Sequence, residues 1–126
     1  MEDKKIILAI DDNPVDLNTL RGVLTPKFIL RAAKSASEAL AFLNTSKADL
    51  ILLDIEMPNI TGFQFLKDIR KVPSYMDVPI IIVSSKTGQA FFAEARKSSA
   101  YDIISKPITP EKLLEAMGKA LDEADC

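Results

Sequence analysis

The stretch Ile6-Ile7-Leu8-Ala9-Ile10-Asp11-Asp12-Asn13-Pro14 decides how the rest of the chain is read. An unbroken apolar run rich in branched residues suits a strand covered on both faces, which is the habit of parallel sheets. Two acids end the run, and Asn13-Pro14 then opens a helix. Asn is a favoured N-cap, and Pro fits the first helical position, where an N–H would have no partner anyway. Leu17, Leu20 and Leu24 share one face of that helix until Pro26 stops it. The unit is strand, acid-bearing loop, helix.

Working outward, the same alternation recurs. Phe28-Ile29-Leu30, Leu50-Ile51-Leu52-Leu53, residues 79–83 and residues 101–104 read as further short strands, with Pro79 at a strand start, where it is tolerated. Between them lie helical patterns. Ser35-Ala36-Ser37-Glu38 has the form of a capping box, with Ala36, Ala39, Leu40 and Leu43 on one stripe. Phe65, Leu66 and Ile69 make a third stripe, residues 90–96 a weaker fourth, and Thr109-Pro110 opens a fifth with Leu113, Leu114, Met117 and Leu121 facing inward. Strands alternating with helices predict an α/β flavodoxin-like doubly wound sandwich: a five-stranded parallel sheet of order 2-1-3-4-5, helices on both faces, joined by right-handed crossovers. No linker or low-complexity segment interrupts it, so residues 1–126 are read as one domain.

Composition narrows the chemistry. A chain of 126 residues with 48% apolar content can fold without staples, burying roughly two-thirds of its unfolded surface. The single cysteine is Cys126, which excludes an internal disulfide framework or a Cys-rich zinc site. There is no histidine, so Ser-His triads and His-ligated metals are excluded as well. Net charge is −2 and the basic residues are scattered, which argues against nucleic-acid binding. The only apolar stretch near the start is too short for a signal peptide or a span, so no membrane association is expected and the cytoplasm is the expected compartment.

Ligands of open α/β sheets bind beyond the carboxyl ends of the strands. Here those ends carry Asp11-Asp12, Asp54, Ser84-Ser85 and Ser105-Lys106-Pro107. With the first and third strands adjacent, three carboxylates converge, and they repel unless a cation sits among them. Oxygen donors without His or Cys point to Mg²⁺, with Mn²⁺ an acceptable substitute. Asp11 or Asp12 taken alone reads more readily as a helix cap or a solvated loop residue, since Asp before Asn-Pro is an ordinary helix entry. The set of acid, acid, hydroxyl and ammonium is what argues for a site. A carboxylate at Asp54 can act as a nucleophile and take a phosphoryl group, whose spread-out charge the Ser84 hydroxyl and the Lys106 ammonium would meet.

These pieces together resemble the receiver domain of two-component response regulators, over essentially the whole chain and in the stand-alone form. The matching segments are Ile7-Leu8-Ala9-Ile10-Asp11-Asp12-Asn13-Pro14, Asp49 through Gly62, Pro79 through Ser85, and Ser105-Lys106-Pro107. The resemblance implies that Asp54 is the phosphoacceptor. It implies that Asp11, Asp12, Asp54 and the carbonyl of Glu56 hold the metal, one acid through water. Ser84, with Ser85 beside it, and Lys106 would be the phosphoryl-binding switch residues. Met57, Pro58 and Gly62 would shape the loop, and the Lys106-Pro107 bond would be cis. The implied donor is a phosphohistidine on a histidine kinase or phosphotransfer protein. The implied output is a downstream protein docking on the fourth helix, fifth strand and fifth helix.

Two departures from the pattern stand out. The family has an aromatic residue where this chain has Ile103; Tyr101, two residues earlier, would share its face on a regular strand and is the candidate replacement. Glu56 and Lys86 occupy positions that tune water access in the family, and they are expected to pair across the site mouth and set the phosphorylated lifetime. Competing readings are an aspartate-nucleophile phosphatase, which needs Asp-x-Asp where this chain has adjacent acids, a receiver reduced to a binding module, and a flavin carrier. Phe91-Phe92 is read as one core ring and one partly exposed ring.

Overall fold

The computed structural model describes residues 4–57, 62–86 and 88–124. Among these, strands and helices alternate: β1 (Ile6–Ile10), α1 (Pro14–Leu24), β2 (Ile29–Ala33), α2 (Ala36–Thr45), β3 (Leu50–Asp54), α3 (Gly62–Arg70), β4 (Ile80–Ser84), α4 (Gln89–Lys97), β5 (Asp102–Ser105) and α5 (Pro110–Ala124). A single 3-10 turn, Pro73–Tyr75, precedes β4 and was not foreseen. The sheet is parallel throughout, in the order β2-β1-β3-β4-β5. This is the doubly wound sandwich expected from the alternation.

The central strands β3 and β4 are buried at every position, which is why their sequences show no polar alternation. Their side chains feed two cores. Ile51 and Leu53 pack with Leu43, Phe65, Leu66 and Ile69 on the α2/α3 side, whereas Leu50 and Leu52 pack with Leu17, Leu20, Leu113 and Met117 on the α1/α5 side. Truncating one such buried leucine to alanine typically costs about 2–5 kcal/mol.

The helix entries follow their local chemistry. Asn13 Oδ1 accepts from the N–H groups of Val15 and Asp16, at 2.9 and 3.4 Å. Ser35 Oγ accepts from Glu38 N–H at 3.1 Å, but the Glu38 carboxylate reaches back one residue further than a capping box requires, to Lys34 N–H.

Some boundaries move. Strand β2 begins at Ile29 because the Phe28 N–H is spent on the Leu24 carbonyl that closes α1. It runs on through exposed Arg31 and Ala32, as an edge strand allows. On α5 the inward row is Leu113, Ala116, Met117, Ala120 and Leu121; Leu114 is only half-buried. Helix α4 buries Ala95 alone and half-buries both Phe91 and Phe92, which explains its faint pattern. No helix among the described residues is long and apolar enough to cross a membrane.

Candidate functional site

Sheet register brings the acids together. Ile10 opposes Leu53 in the β1–β3 ladder, so Asp11 and Asp54 emerge side by side at the carboxyl edge. Both are buried, and one ligand oxygen from each of Asp11, Asp12 and Asp54 lies within 4.8 Å of the others. Each inner acid is oriented by its own loop: Asn13 N–H donates to Asp11 Oδ1 and Glu56 N–H to Asp54 Oδ1, both at 2.9 Å. That leaves the two Oδ2 atoms facing the Lys106 ammonium, each at 3.6 Å. Asp12 is exposed at the mouth.

The electrostatics follow from crowding. Burial, opposed by the Asn13 N–H and reinforced by the neighbouring Asp54 charge, pushes the Asp11 carboxyl up to about 6. Crowded carboxylates are a set that a divalent cation can relieve, and the all-oxygen donor set of Asp11, Asp12 and Asp54 matches Mg²⁺. For Lys106, burial works against the charge. The Asp16 hydrogen bond and the charges of Asp54 and Asp11 outweigh it and raise the ammonium above its ordinary value.

Lys106 leads to a residue that the sequence reading missed. Its shortest contact is neither Asp11 nor Asp54 but Asp16 Oδ2, at 2.7 Å, in the first turn of α1. Asp16 looks in sequence like an ordinary acid at a helix N-terminus, and its lysine partner stands 90 positions away. The Lys106–Pro107 peptide is cis, as the resemblance implied.

On the other side of Asp54 lies Ser84, buried at the end of β4. Its hydroxyl donates to Glu56 Oε1 at 2.6 Å, and the Ser85 N–H and hydroxyl and the Lys86 N–H join it. Partial burial alone would raise the Glu56 carboxyl, but those donors outweigh it and hold the group down at about 2. Glu56 and Lys86 therefore meet, though not as expected. The contact is made by the Lys86 backbone N–H, and no ion pair to its ammonium forms among the described residues.

Loop residues divide by placement. Met57 is buried in the α2/α3 core, which suits packing. Gly62 opens α3 against Ile55: an added Cβ would stand 2.7 Å from Ile55 Cα and closer still to its Cδ1, so close approach is what demands glycine there. Pro58 and Cys126 lie outside the described residues. Tyr101 does not share a face with Ile103. It sits at a bend before β5, where strand alternation does not apply, and packs on the α1/α5 side, whereas Ile103 packs on the α2/α3 side. Phe63 and Phe91, with ring centroids 6.0 Å apart, are aromatic residues on Ile103's side.

Comparison with known proteins gives a consistent result. The profile of the response regulator receiver domain matches residues 7–118. Protein PilH of Pseudomonas aeruginosa is 28% identical over 116 residues, covering 91% of this chain and 96% of PilH. A CheY-like response regulator receiver domain protein from Methanospirillum hungatei superimposes with a TM-score of 0.88 at 27% identity, covering 98% of both chains. The chemotaxis response regulator CheY4 of Vibrio cholerae gives 0.87 at 28% identity, over 94% of this chain and all of CheY4.

Proposed function

Since the chain belongs to the response regulator receiver domains, we propose that its Asp54 accepts a phosphoryl group from a partner phosphohistidine and that the modified protein signals by a conformational switch. The observation that carries this reading is the convergence of two buried acids and an ammonium at one sheet edge, with Asp54 Oδ2 facing Lys106. In the transfer, an Asp54 carboxylate oxygen forms a bond to phosphorus as the phosphorus–nitrogen bond breaks, and the imidazole leaves with a proton in its place. The chain's part is mainly positioning. The Glu56 N–H fixes one Asp54 oxygen and leaves the other to attack, while Lys106 balances the oxyanion charge.

Asp11, Asp12 and Asp54, with the Glu56 carbonyl, would hold Mg²⁺ or Mn²⁺, which supplies positive charge beside the phosphoryl oxygens when bound. After transfer, the Ser84 hydroxyl and the neighbouring Ser85 are the donors that turn to the new oxyanion. Glu56 and Lys86 border the approach of water and set the lifetime of the acyl phosphate. The rearranged surface is the α4–β5–α5 face, which a downstream protein reads; with Ile103 in place of an aromatic and Tyr101 on the opposite side, the switch works without a ring at that position. A cytoplasmic histidine kinase or phosphotransfer protein is the fitting donor. Residues 1–126 act as one receiver unit.

Incubation with acetyl phosphate and Mg²⁺, followed by intact-mass measurement, tests this. A single hydroxylamine-labile adduct should form, and Asp54→Ala should abolish it. An adduct that survives in Asp54→Ala would overturn the assignment.

A further inference from the structure

The Glu56 carboxylate collects four donors from one short segment at the end of β4. They are the Ser84 hydroxyl at 2.6 Å, the Ser85 N–H at 2.6 Å, the Ser85 hydroxyl at 2.9 Å and the Lys86 N–H at 3.0 Å. All four reach one oxygen, Oε1, but two are shared: the Ser85 hydroxyl with Oε2, at 2.8 Å, and the Lys86 N–H with Ser84 Oγ, at 2.9 Å. A carboxylate oxygen has two lone pairs, which the Ser84 hydroxyl and the Ser85 N–H take up, so the Ser85 hydroxyl and the Lys86 N–H are left divided between acceptors. A phosphoryl group offers three strongly accepting oxygens, among which the same donors can be shared out. The donor set is therefore better matched to a phosphoryl group than to the carboxylate that fills it.

Its location is the second half of the case. Asp54 opposes Val83 in the β3–β4 ladder, and the donors begin at the next residue. Glu56 is only two positions beyond Asp54, and its own N–H holds Asp54 Oδ1. One short turn thus carries both the carboxylate that would be phosphorylated and the carboxylate that fills the adjoining oxyanion nest.

We propose that Glu56 is a resident stand-in for the phosphoryl group, closing the Ser84–Lys86 donor set in the unmodified protein and being evicted when Asp54 is phosphorylated. This rests on the reading of Asp54 as phosphoacceptor. The stand-in gives the β4–α4 loop a defined resting state. It also makes the incoming anion compete with an internal one, so Glu56 sets the threshold for modification as well as its lifetime. Eviction breaks no covalent bond. It turns an already exposed carboxylate away and hands its donors to the new group.

The test uses the full ¹⁵N-labelled chain in Mg²⁺ buffer and follows the Ser85 and Lys86 amide signals. In the wild type, inorganic phosphate should leave both unmoved, whereas Glu56→Ala and Glu56→Gln should show a saturable shift at both. The acetyl phosphate concentration giving half-maximal adduct formation should fall at least about fivefold in Glu56→Ala, with less change in the limiting rate, as expected for loss of a competing hydrogen-bonded anion. In the phosphorylated wild type the two amides should move. Variant amides indifferent to phosphate, an unchanged half-maximal concentration, or wild-type amides unmoved by phosphorylation would each overturn the stand-in. Failure of the parent reading looks different: no Asp54 adduct forms, yet the Glu56 variants bind phosphate, which supports the nest.

Discussion

Removing the Asp16 carboxylate should destabilise the protein chiefly through Lys106, with a smaller loss from the first turn of α1. The ammonium is 2.7 Å from Asp16 Oδ2 and 3.6 Å from the two inner acids, so Asp16 is its principal partner. A hydrogen bond to a charged group contributes about 1.5–3 kcal/mol net. The side chains keep 18% and 25% exposure, so solvent screening brings the figure for Asp16→Ala down to about 1–2 kcal/mol. For a domain between the usual small and medium sizes this is a melting temperature lower by about 3–10 °C. The pair is short and sheltered, so the deficit should persist in about 0.5 M salt, where an exposed pair is screened away. A Lys106 pKa raised above 10.5 means that the stabilisation is complete below the unfolded value and is lost as pH rises through the folded one. The gap between wild type and variant should therefore close in strong alkali. The decisive assay is a double-mutant cycle by thermal melting with Lys106→Met, in whose background Asp16→Ala should lose only its helix-terminus contribution, at most about 1 kcal/mol. Equal losses in both backgrounds, or a single-variant shift under about 1 °C, would refute the reasoning.

Three further outcomes follow from the same geometry. Gly62→Ala places a Cβ 2.7 Å from the Ile55 backbone and should cost about 1–3 kcal/mol in urea denaturation; no change would mean that the α3 start yields freely. Arg70→Lys should lose about 2–3 kcal/mol by the same method, because one guanidinium spans the Tyr75, Met76, Val78 and Ser99 carbonyls and the Ser99 hydroxyl, a fork that a single ammonium cannot reproduce. Tyr75→Phe removes the hydroxyl's 2.6 Å bond to the Ser46 carbonyl and should cost about 1 kcal/mol at neutral pH. Burial raises the Tyr75 phenol above 10.0, so its contribution is whole below that pH and lost as pH climbs through the folded value; equilibrium unfolding should show a steeper alkaline decline in wild type than in Tyr75→Phe.

What could be read from sequence was what local pattern encodes. Leu50 to Leu53 announced a strand buried on both faces, and the rule that α/β ligands sit beyond strand ends located Asp11, Asp12, Asp54, Ser84 and Lys106. What escaped were side chains whose meaning depends on where a distant backbone passes. Asp16 carries no sign of its lysine, which arrives from the far end of the chain. Arg70 looks like a cation closing a helix and is in fact the staple for two loops. Tyr101 misled because alternation was extended one residue past the strand, into a bend that turns the ring to the other side. Glu56 was placed at the correct mouth, but opposite an ammonium, whereas the backbone and the two serines supply its partners.

These misses share a cause that bears on mechanism. In the unmodified protein the groups a phosphoryl oxyanion would need are already engaged: Lys106 by Asp16, and the Ser84–Lys86 donors by Glu56. Neither internal carboxylate belongs to the Asp11–Asp12–Asp54 cluster. The Ser84 hydroxyl is buried, and a buried donor left without an acceptor costs free energy, so a site for an intermittent ligand would need a substitute that satisfies it meanwhile. Substitutes that bound too well would block the ligand. Here each is imperfect in a way that favours exchange: Asp16 and Lys106 are still reached by water, and Glu56 is exposed and shares the Lys86 N–H with Ser84 Oγ. On the proposed function, such exchange would move a side chain on α1 and another on the β3–α3 loop together with the β4 end, and so would tie one new charge at Asp54 to several elements at once.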